Sequence, residues 1–462
     1  MTISSSGAGG IVGALALGAL MTAMSGTAAG QCGAHWLPET PEQAVTGSLI
    51  AGMTMWDSDG AGPLGAKVVA VGSFTTAGGV AAKNIACWDG ANWEQIGGGT
   101  NGFIVSVATL SDGRLVIAGN FTLAGNVPVA HIAIWDGVQW SGLGEGLSGT
   151  PAGPINFQVN ALAADANGGV YAAGAFTTAG TTPVTNIAYW DGTTWSALGS
   201  GLSGFGAGQP WVSDLLLLPS GELLASGAFS DAGGTAVKSI AKWDGTSWSN
   251  IAGGGVDGAA WCMERAPSGS IYVGGSFGVL TGPFQSGSNI AEWNGTKWNK
   301  LGSGVAGSSG IGGSVRDIAI LENGDLIVGG SLTVAGGSPA SSIARWDGAA
   351  WSPLGAGIPS AVHTMLVHPS GELLVGRDAT SSSNKTKVFS RWVSGTCCVG
   401  DLDLNGEVND SDFELFVVAY NILDCADPAM PAGCPADVNG DALVDDADFT
   451  LFVVAYNALI CS

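Results

Sequence analysis

The chain has 462 residues, 46% hydrophobic and only 11% charged, which allows a large core and excludes a disordered polyelectrolyte. Its 14 basic and 37 acidic residues give a formal net charge of -23, which repels nucleic acid and anionic membranes and attracts cations. The 77 glycines follow no G-X-Y period and flank short apolar runs, as tight turns between many strands require, so the expected class is mainly β.

At the N-terminus, Ile11 to Met24 is apolar and precedes Thr27-Ala28-Ala29-Gly30-Gln31. Residues 1–30 read as a signal peptide cleaved near residues 29–31, although its leading segment has no Lys or Arg. Gln31 stands where a lipid-anchored Cys32 would need a small residue, and no later stretch reads as transmembrane. Eight cysteines, most of them near the chain ends, suit an oxidising compartment, so a secreted or cell-surface location is expected.

From here the chain repeats. A glycine followed by a small residue or Asn and then Phe or Leu recurs at Gly72, Gly119, Gly174, Gly227, Gly275 and Gly330, and Gly376 stands at the seventh place with Arg377-Asp378 after it. A Trp recurs at Trp88, Trp135, Trp190, Trp243, Trp293, Trp346 and Trp392, and each of the first six has a second Trp five positions on. The W-D-G-x-x-W segments are hairpin signals, and a lone hairpin leaves an apolar face and two edges open. Seven such units of about fifty residues must stack, which is a propeller period. Each unit reads as four strands, with an inner strand such as Val315 to Ile320 and an outer one beginning at the second Trp. The paired Trp residues read as packing between units rather than as a ligand platform.

The seventh unit ends at Trp392 with no W-D-G-x-x-W after it. His35-Trp36-Leu37-Pro38 can supply the missing outer strand, closing a seven-bladed ring over residues 31–396. In that register Trp36 faces Trp392 and Cys32 lies near Cys397, where a disulfide over so long a loop would stabilise by about 4 to 5 kcal/mol. With Gly274-Gly275 and its paired aromatic positions, the region 32–396 resembles the kelch-like β-propellers. The match is loose, because most units have one Gly rather than two.

Residues 397–462 form a separate module. From Val399 to Ser462 there are 13 acids and no Lys or Arg. Two twelve-residue loops lie 36 positions apart. The first offers Asp401, Asp403, Asn405, Asn409 and Asp412 at positions 1, 3, 5, 9 and 12, with the Glu407 carbonyl at position 7; the second offers Asp437, Asn439, Asp441, Asp445 and Asp448, with the Leu443 carbonyl. That oxygen-rich spacing suits a calcium ion. Loop two has Ala442 where loop one has Gly406, so its site should be weaker. Helices are expected over Phe413 to Leu423 and Phe449 to Leu459. Cysteines repeat with the same shift, Cys398 with Cys434 and Cys425 with Cys461. Four cysteines allow three connectivities. The favoured set is Cys398 with Cys461, which would tie the module's ends together, and Cys425 with Cys434.

The duplicated loops, each with a terminal Asp and a following helix, look like a type I dockerin. That resemblance implies calcium-dependent folding and docking to a cohesin-like domain. It departs from the family midway along the helices, where Val417, Val418, Val453 and Val454 replace polar or basic contact residues.

No catalytic constellation stands out, and the four histidines have no metal spacing. The best candidate site is a polar ring where successive inner strands begin, formed by Ser106, Asn160, Asp214, Glu264, Arg316, Asp317 and His363; it reads first as hydration of the channel mouth and second as a site for a polar ligand. The longest insertions, Leu147 to Asn160, Leu202 to Val212, Thr281 to Ser288 and Val305 to Val315, are expected on the same face. The expectation is an exported calcium-binding protein that holds an extracellular protein or glycan without catalysis. The alternatives are an extracellular carbohydrate-active enzyme, a glycan-acting hydrolase or oxidase, or an accessory protein in polysaccharide catabolism, and thirdly a surface-layer building block.

Overall fold

The computed structural model describes residues 35–37, 40–41, 43–58, 65–149, 158–205, 210–278, 289–307, 313–379, 386–393, 410–420, 436, 443–444, 448–450 and 452–453. The signal-peptide segment, the insertion Thr281 to Ser288 and all six cysteines considered for disulfides lie outside these residues.

The hairpin repeat folds as the periodicity demands. In one sheet Trp211–Leu217, Leu223–Ala228, Ile240–Trp243 and Trp248–Ser249 pair antiparallel in chain order. The same order starts from the inner strands Val45–Trp56, Ile104–Thr109, Gln158–Ala164, Asp257–Arg265 and Ser314–Ile320. In a further sheet the outer strand is His35–Trp36, laid beside Phe389–Val393, Leu373–Arg377 and Val362–Val367. Each inner strand packs on the next, and Val362–Val367 packs on Val45–Trp56, so the sheets of Trp36–Trp392 close into a ring around a central channel. This unit is a β-propeller.

Two repeated devices join neighbouring sheets. Apolar residues fill the interfaces, and the Phe of the recurring glycine segment is fully buried at Phe74, Phe121, Phe176 and Phe229. Burying each such ring contributes about 1.5–3 kcal/mol. The second Trp of each hairpin also reaches back to the preceding sheet. Trp195 Nε1 donates to Leu143 O at 2.8 Å, Trp248 to Leu198 O at 2.8 Å, Trp298 to Gly254 O at 2.8 Å and Trp351 to Leu301 O at 2.7 Å. Trp36 takes the same role with Leu354 O at 3.3 Å, and its ring lies 5.0 Å from that of Trp392. The indoles are therefore joints between sheets, as repetition in every unit suggests.

The recurring glycine has a geometric cause that its periodicity does not reveal. Every inner strand carries a β-bulge near its start, between Ile50 and Gly52, Ile104 and Ser106, Val159 and Ala161, Val212 and Asp214, Ala260 and Cys262, Val315 and Asp317, and Val362 and Thr364. The partner strand sets its glycine against that kink. A Cβ on Gly119, Gly227 or Gly330 would land on the carbonyl oxygen of Phe103, Trp211 or Ser314. Only a residue with no side chain lets the bulged backbone come so close.

In the carboxyl-terminal unit, the helix Asp410–Tyr420 begins three residues before Phe413, so Asp412 already lies in its first turn. Phe416 stacks on Phe452 with centroids 4.8 Å apart, and Phe413 and Phe449 join them; these are the same positions of the two repeats. Val417 and Val418 stay exposed. Among the described residues no helix is long and apolar enough to cross a membrane.

Candidate functional site: the mouth of the propeller channel

One face of the propeller gathers its long connections. The strand Leu147–Ser148 leads out of one sheet and pairs with the hairpin Thr178–Ala179 and Thr182–Pro183 of the next; Leu202–Ser203 and Val305–Ala306 do the same with their neighbours. At the turn into each hairpin's following strand, Asn84, His131, Asn186, Ser239, Asn289 and Ser342 adopt positive φ. There Asn186 Nδ2 donates to Leu202 O at 2.7 Å and Asn289 Nδ2 to Val305 O at 3.0 Å. Asn tolerates this left-handed backbone and adds the bond that anchors the loop. The start of every inner strand opens onto this face.

The bulge decides which side chains meet there. Asn160, Arg316 and His363 are bulged residues, as are Ser213 and Trp261. Ser106, Asp214 and Asp317 follow the bulge by one residue, and Glu264 lies three beyond the bulged Trp261. The seven residues expected at one height thus occupy three levels, because each extra residue shifts the register. Sequence reasoning passed over Trp211 and Trp261. The available signal was that these two, with Trp56, are the tryptophans outside the hairpin and ring-closure pattern.

Below the mouth, carboxylates join neighbouring inner strands. Asp214 accepts the Leu215 N–H at 2.8 Å and the Met263 N–H at 2.7 Å, and Asp317 accepts from Ile318 at 2.8 Å and from Met365. Asn160 makes the related link to Val212 O at 2.7 Å. Burial pushes the acid groups up, Asp214 to about 6, Glu264 to about 7 and Asp317 to about 8, and their mutual repulsion adds to the last two. Burial likewise raises the Cys262 thiol, which lies among them. Cys262 and Cys87 are buried free thiols. Among the described residues no group of three or more His, Cys, Asp or Glu could hold a metal ion.

At the mouth itself runs an aromatic and cationic strip. Phe205 meets Trp211 at 5.6 Å, Trp211 meets Trp261 at 6.3 Å, and the Arg316 guanidinium sits 5.7 Å from the Trp261 ring centre. Arg316 Nη1 lies 3.2 Å from His363 Nδ1, and His363 Nε2 lies 2.9 Å from Asp378. Burial and then the Arg316 charge lower the His363 pKa, so at neutral pH this imidazole is uncharged. On the opposite face a groove of about 730 Å³ lies between two sheets, with Tyr171 and Tyr189 4.6 Å apart and the Tyr189 hydroxyl donating to Asp165 at 2.7 Å.

Of the calcium-loop residues, only Asp412 (backbone), Leu443 and Asp448 fall within the described part. Asp448 is fully buried and Leu443 is exposed. Asp401, Asp403, Asn405, Glu407 and Asn409 lie outside it, as do Asp437, Asn439, Asp441 and Asp445.

A family model described as a domain of unknown function (DUF5122) beta-propeller matches residues 110–133. No curated protein matches the sequence. Among solved structures, the extracellular domain of BT4673, a two component system protein from B. thetaiotaomicron, is similar at 9% identity and a TM-score of 0.46, covering 78% of this chain and 40% of that one. PorZ, a surface component of the type-IX secretion system of Porphyromonas gingivalis, is similar at 14% identity and a TM-score of 0.45, covering 78% of this chain and 49% of its own. A copper-bound fungal alcohol oxidase of the AA5 family follows at 15% identity and a TM-score of 0.44, covering 78% and 76%. This chain spans about 40% of the length of the first of these. The β-propeller rests on this chain's own ring of sheets, and the matched family model is described as a beta-propeller.

Proposed function

We propose that the chain is an exported, calcium-binding protein that binds rather than transforms its ligand. Residues 31–396 would form a seven-bladed, kelch-like propeller that holds an extracellular protein or glycan on the face of the long connections. Residues 397–462 would form a dockerin-like module that binds Ca2+ and docks the propeller to a surface or to a cohesin-like partner. One observation carries the reading: the long connections and the strip of Trp211, Trp261, Arg316 and His363 converge on the same face. Function concentrates where loops and exposed aromatics share one end of a rigid scaffold.

The residues of the module fit calcium. Both loops present oxygen donors at the required spacing, and Asp448, at position 12 of the second, is fully buried. An array of glycans and peptides probed with the whole chain, in calcium and in chelator, tests the proposal. Binding that Arg316→Gln weakens and Tyr171→Ala, on the opposite face, leaves intact would support it. Binding that only Tyr171→Ala weakens would refute it.

A second reading, a glycan hydrolase, draws on the raised carboxyls of Asp214 and Glu264 in one channel. It requires glycan turnover that Glu264→Gln abolishes.

A further inference from the structure

We propose that the channel mouth, between Trp211, Trp261 and Arg316, binds the terminal uronic acid of an otherwise neutral glycan. The inference rests on the reading of the propeller as a binding module and names the ligand of its functional face. The indoles would take the C–H face of the sugar ring, and the guanidinium would take its carboxylate.

The first observation is the pair of tryptophans the repeat does not explain. Twelve of the 17 Trp residues belong to the hairpins, and Trp36 and Trp392 close the ring. Trp56 is buried and donates to Gly113 O at 2.7 Å. Trp211 and Trp261 are only half-buried, and they lie side by side at the mouth with Phe205 beyond them. The two rings meet across neighbouring sheets, but unlike the hairpin tryptophans neither indole N–H ties one sheet to the next: Trp211 donates to Ser213 Oγ of its own strand at 3.1 Å.

Arg316 is the second. Lys67, Arg114, Lys238, Lys242, Arg345 and Arg391 each pair with a carboxylate. Arg316 instead faces a Trp ring and an imidazole, and among the described residues no carboxylate reaches it. A guanidinium left without an anion beside two indoles suits a planar carboxylate that arrives with the ligand. Third, among the described residues the Arg316 Nε–H and the Trp261 Nε1–H are buried donors with no hydrogen-bond partner. Such donors are rare, and a small turn of either side chain toward the mouth would offer them to the several acceptors of a hydroxyl-rich acidic sugar.

Charge sets the limit on the ligand. A chain of net charge -23 repels a polyanion, so a single terminal carboxylate fits better than a run of them. The connecting strands at this face are two residues long and already pair on one side, Leu147 with Ala179, Leu202 with Ala232 and Val305 with Ala335, which leaves edges too short to hold an added peptide strand.

The test is calorimetry on the full chain in calcium, comparing an oligosaccharide ending in glucuronate with the same oligosaccharide ending in glucose. The wild type should prefer the acidic form at least about tenfold, a difference of about 1.4 kcal/mol. Arg316→Gln should remove that preference, Arg316→Lys should retain part of it, and Trp261→Ala should weaken both sugars. Thermal unfolding of each variant confirms that it folds, and Arg316→Lys carries the comparison if Arg316→Gln does not. Equal affinity for both sugars, or a preference that survives Arg316→Gln, overturns the proposal while leaving the face itself in place. Displacement of the sugar only by peptides with a free terminal carboxylate also overturns it. Binding lost in Tyr171→Ala and retained in the mouth variants sinks the underlying reading instead.

Discussion

Asp317 offers a quantitative check on how the channel wall is held together. Its carboxylate accepts the N–H of Ile318 in its own strand and of Met365 in the next, so it links two sheets. Asp317→Asn keeps the shape but puts an NH2, which cannot accept, where the acid has a second oxygen that still accepts when protonated. Losing one such bond costs about 1–2 kcal/mol. Burial has raised this carboxyl from 3.8 to about 8, so the folded chain keeps the proton that the unfolded chain releases near pH 4. Between those values the folded state binds more protons, and the stability of the wild type falls as pH rises. By linkage a shift of this size amounts to at most about 5–6 kcal/mol. The asparagine does not titrate. Urea unfolding at pH 5 should therefore find the variant about 1–2 kcal/mol less stable, and at pH 8.5 the gap should close or reverse. A gap of constant size across that range would refute the assignment of a proton to buried Asp317.

Other perturbations separate the remaining contributions. Trp351→Phe keeps a ring but removes the N–H donated to Leu301 O at 2.7 Å, and urea unfolding should show a loss of about 1–2 kcal/mol. Gly330→Ala drives a Cβ onto Ser314 O and should cost about 2–3 kcal/mol. Gly337→Ala has open space but a φ of +85 and should cost about 1 kcal/mol. Removing residues 1–39, and with them Trp36, opens the ring, and the melting temperature should fall by about 5–10 °C relative to a chain that lacks only residues 1–30. Calcium calorimetry should find two saturable sites, the second about tenfold weaker because Ala442 stands in its turn; Asp401→Ala should remove the first and Asp437→Ala the second.

The sequence carried the ring because its signals are periodic. Trp pairs and glycines at near-constant spacing mark the hairpins, and the unfinished last unit pointed to Trp36, which the structure lays against Trp392. The site was less legible. A β-bulge is one extra residue in a strand and leaves no compositional mark, so aligning strand starts placed Glu264 level with Asp214 when it lies deeper. Trp211 and Trp261 were hidden by the abundance of tryptophan that serves packing. The glycine periodicity was visible, but its cause, a backbone kink on the neighbouring strand, depends on contacts across the sheet that no single strand encodes.

Hydrogen exchange of the full chain in calcium, alone and saturated with a glucuronate-terminated oligosaccharide, tests most directly that binding belongs to the face of the long connections. The account predicts slowed exchange in Trp211–Leu217, Asp257–Arg265 and Ser314–Ile320, with the hairpin tips at Asp191 to Thr194 and Asp244 to Ser247 unchanged. Protection centred on those tips, or on the groove around Asp165 and Tyr189, would contradict it.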